Sequence, residues 1–152
     1  MAKLVGWREW VSLPAFDVER IKVKVDTGAR TSALHASHIT TRMQGDEEWV
    51  DFTIQPLQKN TDVEVARSAR VKEYRHIRDS GGHEERRAVI ETDVQLGDDT
   101  WPIELTLTDR ENMRFRMLLG RNAICSRYYV DPTQSFVLSH GPANSSADNE
   151  EE

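Results

Sequence analysis

The chain alternates apolar and polar residues with period two through most of its length, and one such run, Arg20-Ile21-Lys22-Val23-Lys24-Val25, ends in Asp26-Thr27-Gly28-Ala29. Period-two alternation sends successive side chains to opposite faces of an extended strand, one toward a core and one toward water. The pattern recurs where Ile103, Leu105 and Leu107 alternate with Glu104, Thr106 and Thr108, and where Met113, Phe115 and Met117 alternate with Arg114 and Arg116. Val89 and Ile90 lead into Val94 and Leu96, and Gly97-Asp98-Asp99 breaks that run before Trp101 as a hairpin turn does. These runs predict a mainly β fold in which Lys22 and Lys24 face solvent. Helical signal is confined to Arg121–Arg127, about two turns following a glycine. Thr31-Ser32-Ala33-Leu34 reads either as a short strand returning from the Asp26 turn or, with the residues to Ile39, as a helical turn. Pro56 to Asp62 has no periodicity and reads as a loop.

A chain of 152 residues is long enough for one domain with a real core. Its single cysteine, Cys125, has no partner for an internal disulfide, and on the expected helix it reads as a small buried hydrophobe. The first residues lack the apolar core of a signal peptide, and no run approaches the ~18 apolar residues of a membrane span, so the expected location is the cytoplasm. Neither membrane nor nucleic acid is an expected partner. Of the net charge of −6, four acids (Asp148, Glu150, Glu151, Glu152) fall after Ala143 without a base, which leaves −2 on the rest. Residues 1–140 therefore read as one domain and 141–152 as a disordered acidic tail.

Asp26 is the candidate catalytic group. A carboxylate delivered by a strand into a turn of small residues suits peptide hydrolysis if a second carboxylate faces it. A pair about 3 Å apart shares one proton, so one member activates water while the other polarises the scissile carbonyl. Thr27 can hydrogen-bond across a dimer axis, and Gly28 permits a tight turn and offers its N–H to the carboxylate. The motif occurs once, so this chemistry requires a homodimer with Asp26 from each copy.

Downstream, Met117-Leu118-Leu119-Gly120-Arg121-Asn122 places an apolar pair and a glycine before the helical candidate. The order of the two motifs resembles retropepsins, where such a segment passes beneath the catalytic loop. Gly6-Trp7-Arg8-Glu9-Trp10-Val11 with Leu13-Pro14, and Lys24 through Ala36, narrow the resemblance to a bacterial and archaeal retropepsin-like family commonly labelled "ATP-dependent zinc proteases". The likeness runs over about residues 4 to 138. It implies a closed, β-barrel-like acid-protease fold with one short C-terminal helix, and an aspartic endopeptidase built as a homodimer. Some members accompany ATP-grasp, RimK-type ligases that add glutamate to proteins, which implies peptide or protein substrates with acidic extensions. The sequence offers neither a phosphate-cradling glycine loop with a lysine nor His-Glu-x-x-His, so no cofactor and no metal site is expected.

In retropepsins a glycine-tipped hairpin covers the substrate, and Asp79-Ser80-Gly81-Gly82-His83 stands at that place. Ser80, Gly81, Gly82 and His83 are accordingly candidate substrate contacts, with Ala29, Arg30, Arg70 and Lys72. Residues 67 to 87 hold seven bases against four acids. Such a surplus either attracts an acidic peptide or forms a solvated strand face paired with neighbouring glutamates. Two alternatives to the peptidase remain: a catalytically silent dimeric module that binds acidic peptides, and a zinc-dependent hydrolase. His35, His38, His76 and His83 lack strong metal-ligand spacings and read as structural or surface residues. The four tryptophans read as core or interface anchors.

Overall fold

The computed structural model describes residues 2–56, 64–78, 81–110 and 113–139. The loop expected over Pro56–Asp62 and the tail at 141–152 fall almost wholly outside these residues. The described chain is mainly β: β1 (Lys3–Gly6), β2 (Arg8–Leu13), a 3-10 turn (Pro14–Phe16), β3 (Val18–Val25), β4 (Ser32–Gln44), β5 (Glu47–Ile54), β6 (Val65–Arg70), β7 (Glu73–Arg78), β8 (Glu84–Leu96), β9 (Asp99–Thr108), β10 (Met117–Leu119), α1 (Arg121–Ile124) and β11 (Tyr128–Asp131). Among the described residues no helix is long and apolar enough to cross a membrane.

Hydrogen-bonded neighbours run β10–β3–β2–β8–β9–β4, and a further β10–β4 pairing closes this path into a ring of six strands. The outer half of β4 continues into β5 and β6, β7 pairs with β8, and β1 lies parallel to β11 in a separate two-stranded ribbon. Inside the ring the alternating apolar residues meet: Val11 and Leu13, Ile21 and Val23, Ile90 and Val94, Ile103, Leu105 and Leu107 are all buried in one cluster. The hairpin expected at Gly97-Asp98 joins β8 to β9, with Gly97 at φ 59°.

Several expectations are corrected. Lys22 is not on a wet face: it is 1% exposed, its ammonium 5.5 Å from the centre of the Trp10 ring and 6.0 Å from that of Phe115. The outer face of β3 is roofed by aromatic rings, whose negative faces suit a cation, and a strand's own alternation carries no record of such a roof. The run from Met113 is a strand only over Met117–Leu119, where it pairs with β3 and β4 at once; Arg116 before it is buried. Of the two readings left open for Ser32–Leu34 the strand holds, as the start of a strand of 13 residues. The helix is one turn shorter than expected, because Cys125 leaves the helical region at ψ 134° and Ser126 takes φ 70°. Cys125 is exposed, since the chain turns outward there.

Candidate active site

β3 is pinned at its end by the Val25 N–H donating to the Trp7 carbonyl at 2.8 Å, and Asp26 N–H donates to the Leu119 carbonyl at 2.9 Å. The next residues fold back: Ala29 N–H donates to the Asp26 carbonyl at 3.2 Å, and Gly28 N–H donates to the Asp26 carboxylate Oδ1 at 3.0 Å. A Cβ on residue 28 would stand 3.3 Å from that oxygen, so glycine brings the amide close without crowding. Asp26 is half-buried, while Thr27, Gly28 and Arg30 are exposed. Among the described residues the Thr27 hydroxyl makes no hydrogen bond.

The second motif braces this turn from below. β10 runs parallel to β3 (Leu119 opposite Val25) and antiparallel to β4 (Leu118 opposite Ala33), so it threads between the two limbs of the turn. Beyond it, Arg121 N–H donates to the Ala29 carbonyl at 2.8 Å, Asn122 N–H to the Arg30 carbonyl at 3.0 Å, and Arg121 Nη1 to the Thr27 carbonyl at 2.9 Å. Gly120 is required for that approach: a Cβ there would lie 2.7 Å from the Thr31 carbonyl carbon and 3.0 Å from the Ala29 oxygen, both backbone. Asp26 thus stands half-buried on a turn fixed at both limbs, with the exposed Thr27 hydroxyl beside it.

The profile of the family described as "RimB-like: Retropepsin-like aspartic endopeptidase RimB" matches residues 4–140. The chain belongs to this family. Its relatives include proteins named "Probable alpha-L-glutamate ligase" from Parasynechococcus marenigrum, 44% identical over 135 residues (89% of this chain, 29% of the relative), and from Shewanella pealeana, 42% identical over 135 residues (89% and 30%). The chain thus spans about 30% of the length of these curated relatives. Among solved structures it shares the fold of a Legionella pneumophila protein of unknown function, with a TM-score of 0.75 at 24% identity, covering 91% of this chain and 100% of that one.

The RimB-like domain also builds the expected hairpin. β7 and β8 pair from Glu73–Val89 to Arg78–Glu84, with Gly81, Gly82 and His83 exposed near the tip and Gly82 at φ 88°, a conformation that favours glycine. Ser80 lies outside the described residues. Most bases of this region are matched locally. Arg70 pairs with Glu47 at 3.6 Å, Lys72 with Glu91 at 3.2 Å and Glu104 at 2.7 Å, Arg75 with Glu73 and Glu104, Arg78 with Glu84, and Arg87 with Glu85. Arg86 stacks 3.8 Å from the centre of the Tyr74 ring, and Arg67 donates to the Phe16 carbonyl. Apart from Arg87, which is buried, these bases lie on a strand face neutralised largely by its own acids.

Beside the Asp26 turn the situation is reversed. Lys24 and Arg30 are exposed, and among the described residues their side chains make no hydrogen bond or ion pair. Arg121, which the motif contains but whose role the sequence did not reveal, spends one guanidinium nitrogen on the Thr27 carbonyl. Among the described residues no three histidines, cysteines or carboxylates gather as a metal site. His35 is buried and accepts the Arg110 N–H at Nδ1 (3.1 Å), whereas His38 is exposed at a register shift of β4 with φ 53°.

The Glu104 cluster makes a pH prediction. Hydrogen bonds from Arg75 and then Lys72 hold its carboxyl down from 4.5 to about 2, against a smaller opposing effect of burial. A depressed carboxyl contributes stability that is present above the unfolded value and lost as pH falls through the folded one. Wild-type protein should lose urea resistance between pH 4.5 and 2 more steeply than Glu104→Gln. Equal slopes would contradict the assignment.

Proposed function

We propose that the chain is the subunit of a homodimeric aspartic peptidase. Asp26 from each copy would form a pair sharing one proton, with a water between them as nucleophile. The observation that carries this reading is the Asp26 turn: a lone carboxylate held half-exposed by Gly28, braced by Leu119–Asn122, with the Thr27 hydroxyl free to bond across the dimer axis. The closed barrel of the retropepsin fold and its covering hairpin belong to the same reading. The ring of strand pairings and the β7–β8 hairpin support it.

Acidic peptides are the proposed substrates, recognised at the turn more than at the hairpin. Among the described residues Lys24 and Arg30 have no carboxylate partner, and they stand beside a proposed carboxylate pair that would otherwise repel an acidic chain. Relatives carrying the name of a glutamate ligase fit a substrate bearing added glutamates. Two measurements test the proposal. Sedimentation should show dimers at the concentration where glutamate-extended peptides are cleaved; a strictly monomeric active protein would refute one aspartate per chain. Arg30→Glu should raise KM for a glutamate-rich peptide by roughly tenfold or more, as loss of a charge-assisted hydrogen bond does, and change KM for a neutral peptide little. A basic peptide cleaved best by wild type would overturn the substrate class.

A further inference from the structure

The hairpin and the Asp26 turn are joined inside the protein by a short chain of buried hydrogen bonds. It starts at Arg87 on β8, where that strand pairs with β7 to form the hairpin stem. Arg87 is 7% exposed, with Nε held by Glu85 Oε1 at 2.8 Å and Nη1 donating to Thr106 Oγ1 at 3.3 Å. Glu85 Oε1 is itself fixed by the Thr108 hydroxyl at 2.9 Å. Thr106 Oγ1 donates in turn to the Ser32 carbonyl at 3.0 Å, and Ser32 Oγ accepts the Gly120 N–H at 3.0 Å. Ser32 and Thr106 are fully buried.

Each link has a reason to be conserved in geometry. Ser32 is the first residue of β4, directly after the turn. Gly120 is the residue whose backbone lies against Thr31 and Ala29 and whose neighbours, Leu119 and Arg121, bond Asp26 and Ala29. Thr106 is 0% exposed, so removing its hydroxyl leaves the Arg87 donor without that acceptor in a buried layer. An arginine at the hairpin stem therefore sets, through two hydroxyls, the register of the segment that carries the catalytic turn.

We infer that Arg87, Thr106 and Ser32 are positioning residues that couple the β7–β8 hairpin to Asp26. The inference rests on the peptidase reading for its kinetic consequence but not for its structural one. If a misplaced turn is the result, kcat falls while substrate binding is retained, since small displacements of catalytic groups are costly to rate.

Thr106→Val, which keeps the shape and removes the hydroxyl, is the first variant; Arg87→Met and Ser32→Ala follow, with Thr106→Ser as the rescue. Amide hydrogen exchange should accelerate at Gly120 and Asp26 in Thr106→Val and Arg87→Met, while amides of the opposite hairpin near Thr100 and Trp101 stay protected. Against a glutamate-extended peptide, kcat should drop roughly tenfold to a hundredfold with KM within about twofold, and Thr106→Ser should recover most of it. Because the residues act in series, Arg87→Met with Thr106→Val should cost little more than either alone. Unchanged exchange at Gly120, or strictly additive losses, would overturn the coupling. A wild-type protein that cleaves nothing would refute the peptidase proposal, and the exchange measurement would still decide this one.

Discussion

Asp26→Asn is expected to abolish peptide hydrolysis and leave the protein folded. The amide is the same shape as the carboxylate, and its oxygen can accept the Gly28 N–H that Asp26 Oδ1 now accepts at 3.0 Å. What it cannot do is exchange a proton with water in the transition state. General acid–base catalysis contributes about 10²- to 10⁴-fold, and in a homodimer the substitution removes both members of the pair, so the loss should lie at or beyond the upper end. Thermal stability and sedimentation should match wild type, because the carboxylate makes no ion pair among the described residues. Mixed dimers sharpen the test. If each copy supplies one aspartate, wild-type chains titrated with excess Asp26→Asn chains lose activity as heterodimers form, whereas an independent site per chain would keep its activity throughout. Cleavage by the variant at the wild-type rate would remove Asp26 from the chemistry.

What the sequence revealed divides along a physical line. Period-two alternation reported the inner faces of β3, β8 and β9, because the hydrophobic core imposes it residue by residue, and Gly97-Asp98 reported its turn through local backbone conformation; β2 and the start of β4 carried no such signal. The outer face left no comparable record. Lys22 looks like any strand-surface lysine until Trp10 and Phe115, from two other parts of the chain, close over it. The bases near the hairpin counted as a positive surplus in one dimension, yet in three dimensions Glu47, Glu91 and Glu104 come from other strands to neutralise them. The motif at Gly120-Arg121 was legible as a motif, but the reason for its glycine, a 2.7 Å approach to the Thr31 backbone, exists only once the two segments meet. Tertiary neighbours decide charge and burial, and alternation is blind to them.

Glu9→Ala is expected to be among the most destabilising single substitutions in the chain, although in the sequence Glu9 was only one residue of the Gly6–Val11 motif. It sits opposite Val23 on the core side of β2 and is 0% exposed. Among the described residues its partners are a nest of neutral donors. Oε2 accepts the Gly6 N–H at 2.7 Å and the Val137 N–H at 2.8 Å, and Oε1 accepts the Ser139 N–H at 3.0 Å and its hydroxyl at 2.6 Å. Leu138 N–H reaches Oε1 at 3.3 Å, and the Ser139 hydroxyl oxygen in turn accepts the Trp10 N–H at 2.7 Å. The carboxylate therefore sews residues 137–139 to the start of β2. Truncation to alanine orphans several buried backbone donors at about 1–3 kcal/mol each, and partial relaxation toward water limits the total to roughly 3–5 kcal/mol, as for other broken buried charge networks. For a domain of this size that corresponds to a fall in Tm of roughly 10 °C. Glu9→Gln should fall in between, because its carbonyl still serves one group of donors while its amide nitrogen faces the other. Thermal unfolding at fixed protein concentration measures the order, and amide exchange at 137–139 locates it. A Tm change of less than about 1 °C in Glu9→Ala would mean that the C-terminal segment is held by its apolar contacts, with Phe136 stacked on Trp10, and not by the carboxylate.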